Sequence, residues 1–207
     1  MTSRKYDASR RIEAAQRTRE AILAAAFRLH GRSIYDMESL AAEANVSVAT
    51  VRKHFPTREL LFESCTDWGM HTAVLPDLDL IGSVEEPAAR TRLAVLQTYA
   101  FHESLFGQAW GAFKLEDESP ALARILQRIE GLVGILADLV VEVWPIEAEQ
   151  YAEVRGLVAG FLSPLTYRAL KVHGGLSAEK AVERSSDALI SALSMLMARA
   201  RKEAANA

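Results

Sequence analysis

The chain has 207 residues, half of them hydrophobic and a quarter charged, with a formal net charge of −3. This is the composition of one ordinary folded domain or two small ones, and it excludes a disordered chain. The single cysteine, Cys65, excludes an intrachain disulfide and fits a reducing cytoplasm, and no apolar run reaches the roughly 20 residues that span a bilayer.

Met1 to Arg11 is polar and basic, so no secretory signal is expected there. The first clear helix covers roughly residues 14–30, with Ile22, Leu23, Ala26, Phe27 and Leu29 on its apolar face. Gly31, Arg32 and Ser33 end it. A short helix follows over about 38–44, then a turn at Asn45-Val46-Ser47, then a second short helix over 48–54 that stops before Pro56. Asn tolerates the left-handed backbone better than most residues, which suits it to that turn. Thr57 is placed to cap a fourth helix, and Pro76 ends it. Pro87 opens a helix running to about residue 103, and a sixth covers about 105–115. Ser119-Pro120 is a start signal for a long helix reaching toward Pro145. An eighth helix, roughly 150–173, is interrupted by Pro164 and ended by Gly174-Gly175. Ser177 caps the last, which runs to about Lys202. About nine helices and no strand are expected: an all-α protein.

The charge is unevenly spread. Residues 1–60 carry 11 Lys and Arg against 7 Asp and Glu, and residues 61–207 carry 13 against 20. A basic front and an acidic body predict that only the front meets a polyanion. That front holds two short helices joined by a tight turn and braced by a third, the plan of a helix-turn-helix. The second short helix suits the major groove of DNA, roughly 12 Å wide. Its start at Ser47 aims free backbone amides at phosphate oxygens. Val46 is expected to lock the crossing angle and Phe55 to anchor the recognition helix. Ser47, Thr50, Arg52, Lys53 and His54 give polar reach, and Val48, Ala49 and Val51 give small apolar contacts. Arg4, Lys5, Arg10, Arg11, Arg17 and Arg19 are expected to add phosphate contacts.

Arg19-Glu20-Ala21-Ile22-Leu23-Ala24-Ala25-Ala26, Leu40-Ala41-Ala42-Glu43-Ala44-Asn45-Val46-Ser47, Thr50-Val51-Arg52-Lys53-His54-Phe55 and Arg58-Glu59-Leu60-Leu61 stand in an order and spacing that resembles the TetR (tetracycline-repressor) family of transcription regulators. Later in the chain, Pro164-Leu165-Thr166-Tyr167-Arg168-Ala169-Leu170 resembles a segment common in that family's eighth helix. The resemblance implies a helix-turn-helix domain over 1–61 and a ligand-binding and dimerisation domain over 62–207. It implies a homodimer on a palindromic operator in double-stranded DNA, released by a small-molecule effector of unknown identity, with no cofactor. Three positions depart from the family pattern. Met37 stands where Thr or Ser usually starts the second helix, so Asp36 takes the capping role. Asn45 replaces the usual Gly of the turn. Arg52 replaces a Tyr that often touches phosphate, and can do the same or read a guanine.

The expected DNA-binding residues are Arg17, Thr18, Ser47, Val48, Thr50, Arg52, Lys53, His54, Thr57 and Arg58, with Arg52 and Lys53 reaching base edges. The expected effector-binding residues are His71, Tyr99, His102, Glu103, Trp110, Phe113 and Tyr167. Together they supply the apolar walls and few polar groups that such a cavity needs. Glu103 and the absence of Lys among them favour a neutral or cationic apolar ligand. Dimerisation is expected through the helices over 150–173 and 177–202. There Gly156, Ala159, Gly160 and Ser163 allow close approach, and Leu189, Leu193 and Leu196 supply apolar area. A soluble, cytoplasmic regulator follows, and not an enzyme. His102-Glu103-Ser104-Leu105-Phe106 is half of a zinc-protease motif, with Phe106 in the second ligand's place. His71, His102 and His173 are scattered, so their spacing argues for no metal. The competing readings are an enzyme without a familiar motif and a helical adaptor that does not bind DNA.

Overall fold

The computed structural model describes residues 3–204. The side chains of residues 3–8, 108, 109 and 200–204 are outside that description, and Arg4 and Lys5 with them. Among the described residues there are eleven α-helices and no strand, so the fold is all-α as expected. They are α1 (Ser3–His30), α2 (Met37–Glu43), α3 (Val48–His54), α4 (Arg58–Thr72), α5 (Leu78–Ser83), α6 (Pro87–Ser104), α7 (Gln108–Leu115), α8 (Pro120–Glu142), α9 (Tyr151–Leu162), α10 (Pro164–Arg168) and α11 (Ala178–Ala204). The count exceeds nine for two local reasons. Asp77 caps a one-and-a-half-turn helix, α5, by accepting from the Leu80 amide at 2.9 Å. Ser163 adopts an extended backbone before Pro164 and divides the expected eighth helix into α9 and α10, with a π-turn over Ala169–His173 after it.

The punctuation residues act as their chemistry dictates. Pro87 and Pro164 occupy first-turn positions, where a missing amide costs nothing. Ser119 and Ser177 accept from the amides of Leu122 and Lys180, each capping the helix that follows.

The chain forms two compact units. The first comprises residues 1–72 and 106–126. Its core is built from α1 to α4: Ile22, Ala25, Ala26, Leu40, Ala41, Val51, Phe55, Leu61 and Cys65. The later segment joins it through specific contacts. The Ala121 amide donates to Glu59 at 3.1 Å, and Arg124 and Arg58 pair with Glu63 and Glu118. At Gly107, φ is +89°, and a Cβ there would meet the Gly31 carbonyl at 2.7 Å, so only glycine fits. The second unit comprises residues 73–105 and 127–207. Its core joins Ile81, Ala94, Val95 and Tyr99 to Leu136, Val140, Val158, Leu162, Tyr167, Leu189 and Leu193. The grouping by contact therefore differs from a single division at residue 61. Leu189 and Leu193, expected at a subunit interface, are fully buried within this core. The period of an apolar stripe says that a face is covered, not by which chain.

Buried Arg90 holds the α5–α6 corner. Its guanidinium donates to the carbonyls of Val84, Gly82 and Leu139 at 2.6, 2.7 and 3.0 Å, which satisfies a charge that burial would otherwise penalise.

Candidate nucleic-acid interface and effector cavity

The α2–turn–α3 segment is built by three local devices. Asp36 accepts from the Ser39 amide at 2.8 Å and caps α2, and those hydrogen bonds hold its carboxyl below the usual range. Asn45 takes φ +52° at the turn, the left-handed conformation the sequence called for. Ser47 accepts from the Thr50 amide at 3.1 Å and caps α3. Val51 on α3 and Phe55 at its end are fully buried, and Val46 packs against the same core. The opposite face of α3 is left to solvent: Arg52 and Lys53 are exposed, and Val48, Thr50 and His54 are half-buried beside them.

The flanking candidates have mixed fates. Arg17 is exposed. Thr18 and Thr57 use their hydroxyls locally, Thr18 donating to the Ala14 carbonyl and Thr57 accepting from the Leu60 amide. Arg58 lies over the Phe62 ring at 4.9 Å and 3.7 Å from Glu118. Arg19 differs most from expectation. It donates to the His54 carbonyl at 3.3 Å and to Ser64 Oγ at 2.8 Å, and its guanidinium lies 4.3 Å above the Phe55 ring. It ties α1, the end of α3 and α4 together, so it works as a brace within the protein. Nothing in the sequence separates Arg19 from Arg17, because both look like basic residues on a solvated helix.

The effector candidates separate by unit. In the second unit a cavity of about 990 Å³ lies between α6 and α11, near the upper end of the range for small-molecule sites. Tyr99, Glu103 and Tyr167 line it. Their rings and carboxylate are mutually engaged: Tyr99 and Tyr167 stand 4.7 Å apart by centroid, and the Tyr167 hydroxyl donates to Glu103, which also accepts from Lys171 at 3.1 Å. Burial, with the Glu103 carboxylate, pushes the Tyr167 phenol up.

His102 is not on the cavity wall. Its Nε2–H donates to the Leu162 carbonyl at 2.8 Å, and burial lowers its pKa to about 4, which keeps the ring neutral. His71, Trp110 and Phe113 belong to the first unit and do not line this cavity. His71 is exposed on α4 and bonds the Asp67 carbonyl at 2.7 Å. Sequence reasoning missed the α11 side of the wall: Glu179, Val182, Glu183 and Ser186, with Arg92, Leu93 and Leu96 facing from α6. The signal was present as spacing, since 179, 182, 183 and 186 share one helical face.

Cys65 is buried, 3.7 Å from His30 Nδ1. Burial pushes its thiol up to about 12, so it packs as a small apolar residue. Among the described residues no helix is long and apolar enough to cross a membrane.

No protein-family model and no curated protein sequence matches the chain. Solved structures do. A TetR-like transcriptional regulator from Rhodococcus sp. RHA1 superposes with a TM-score of 0.65 at 15% identity, covering 86% of this chain and 96% of that one. A second transcriptional regulator from Rhodococcus sp. Rha1 gives 0.61 at 19% identity, covering 84% and 95%. A proposed transcriptional regulator from Saccharomonospora viridis, in complex with choline, gives 0.58 at 16% identity, covering 83% and 95%. The fold of this chain is that of the TetR-like transcriptional regulators.

Proposed function

We propose that this chain is a DNA-binding transcription regulator, a repressor that leaves a palindromic operator when a small molecule binds its second unit. One observation carries the reading. Helix α3 is capped at Ser47 and held from behind by Val51, Phe55 and the Arg19 brace, while Arg52 and Lys53 project from its other side into solvent. A short rigid helix with one basic face, inside a basic segment, fits the major groove and the phosphates beside it. Arg17, Thr18, Ser47, His54, Thr57 and Arg58 are assigned to phosphates, and Val48 and Thr50 to the groove. The role assigns the chain no catalysis and places it in the cytoplasm, where bacterial DNA is. Gel-shift titration on the DNA flanking its own gene tests the reading: salt-sensitive, sequence-selective binding supports it, and binding indifferent to sequence overturns it.

The dimer is assigned to the exposed faces of α9, α10 and α11. A Cβ at Gly156 or Gly160 meets nothing within 4 Å in this chain, and Leu165 and Met195 stand 46% and 58% exposed. That pattern fits helices that approach a second copy closely. Because the Gly160 position is open within the chain, Gly160→Leu leaves the monomer fold intact. In the dimer it overpacks, at about 1–3 kcal/mol for each of two symmetric sites, and weakens association roughly tenfold or more. Sedimentation across a concentration series reads this, and an unchanged dimer places the interface elsewhere.

The effector site is assigned to the α6–α11 cavity, with Tyr99, Glu103 and Tyr167 on its wall. The Saccharomonospora viridis protein, similar in fold, is in complex with choline, which supports a small-molecule effector for this chain.

A further inference from the structure

The α6–α11 cavity carries information about the chemistry of its occupant. Ser186 lines it, is 1% exposed, and its Oγ has no hydrogen-bond partner. A buried hydroxyl left unpaired is costly, and a ligand that bonds it recovers that cost. Glu183 lies three residues earlier on α11, so the two side chains are neighbours on one helical face. The other charged groups on the wall are Glu103, Glu179 and Arg92. Arg92 is matched by Asp187 at 2.8 Å, and Glu103 by Lys171 and Tyr167. Glu183 meets Lys180 at 2.7 Å and Arg184 at 3.5 Å, both exposed side chains on its own helix, and such pairs are weak and readily exchanged. Glu179 has only the Ser177 hydroxyl, and no ion pair among the described residues. The wall therefore has three carboxylates to one guanidinium. Apart from Ser104 and the two tyrosines the rest of it is apolar, with Leu93, Leu96 and Val182 between the polar groups.

We infer that this cavity binds an amphipathic organic amine. Its apolar chain lies along Leu93, Leu96 and Val182, and its ammonium donates to Ser186 Oγ while facing Glu183. An anion of the same length can accept from the Ser186 hydroxyl but faces three carboxylates, so charge repulsion disfavours it. A neutral alcohol satisfies Ser186 and gains nothing from Glu183. The inference rests on the effector reading for its biological use, whereas the binding itself stands apart from DNA.

Isothermal titration of the full chain at pH 7.5 tests it with octylamine, which is protonated there, against octanol and octanoate, all below micellar concentrations. Octylamine is expected to bind one site per chain at least tenfold tighter than either control. Ser186→Ala and Glu183→Gln each weaken the amine about fivefold, and Val182→Trp, which fills the groove, removes binding with the circular dichroism unchanged. Equal binding of octanoate, or amine binding indifferent to both Ser186→Ala and Val182→Trp, overturns the assignment. A parallel gel shift separates the two readings. If the amine binds as stated and the DNA complex persists, the site stands and the effector role falls. If DNA binds and the amine does not, the site falls and the DNA-binding role stands.

Discussion

The double substitution Arg52→Ala, Lys53→Ala is expected to weaken operator binding by a factor of about 100 or more while leaving the fold unchanged. Both side chains are exposed on α3, and neither belongs to the core that holds the helix, so the monomer has little to lose. A good side-chain contact to a base edge contributes about 1–3 kcal/mol of discrimination, and two recognition helices double every loss in a symmetric complex. The single variants divide the roles. A residue that reads a base changes the order of preference among operator variants, and one that holds a phosphate weakens all sequences alike and lowers the salt slope by about one. Fluorescence anisotropy against a panel of half-site variants at two salt concentrations reads both. A double variant that binds its operator normally removes these residues from the interface, whatever else α3 does.

The largest effect on stability is expected from mild acid. His30 in the first unit and His102 in the second each have a pKa lowered to about 4, principally by burial, with the nearby Arg58 charge adding to the effect at His30. The unfolded chain binds these protons near the ordinary value of about 6.5. Between pH 6.5 and 4 the unfolded state therefore holds more protons than the folded state, and stability falls as pH falls. Above pH 6.5 both rings are neutral in both states and the contribution is complete. Below pH 4 both states are protonated and the loss levels off. At pH 5 the loss is about 2 kcal/mol per histidine, a large share of an ordinary domain's stability. Urea unfolding at pH 7.5 and pH 5.0 measures it, and the histidine variants separate it from the carboxylates, which begin to titrate near pH 5. His30→Phe and His102→Gln are expected to flatten the dependence, each in its own unit. Equal stability of the wild type at the two pH values contradicts the neutral buried rings.

Much of the fold was legible because helix ends are chemically explicit. Asp36, Asn45, Ser47, Pro87, Ser119, Pro164 and Ser177 each announced a cap, a turn or a break, and each occupies that place in the structure. Helix α5 escaped because six residues are too short for a periodic pattern, although Asp77 offered a cap. The site was less legible. Helical spacing shows that Trp110 and Phe113 belong to an apolar face, but it does not say that they lie in the first unit, off the cavity wall. Tyr99 and Tyr167 were identifiable as aromatic residues on the right helices. Spacing put Ser186 on one face with Glu179, Val182 and Glu183, but only the structure shows that this face lines a cavity and that the serine hydroxyl has no partner there. Arg19 shows the same limit from the other side, since its partners on α3 and α4 lie 35 and 45 residues away in sequence.

The glycine pair at 31 and 107 bears on how such a protein can be recombined. The backbone of residue 107 sits against residue 31 too closely for any other side chain, and residues 106–126 share a unit with residues 1–72. A crossover at residue 72 that exchanged only the leading segment would join it to a foreign 106–126 stretch. That stretch would have to supply a glycine at the contact, a free backbone amide for Glu59, a base for Glu63 and an acid for Arg58. Chimeras that swap DNA specificity between proteins of this fold should therefore carry two pieces of chain together. A family that diversifies by shuffling would inherit them as a linked pair, and one that diversifies by point changes on the exposed face of α3 would be free of the constraint.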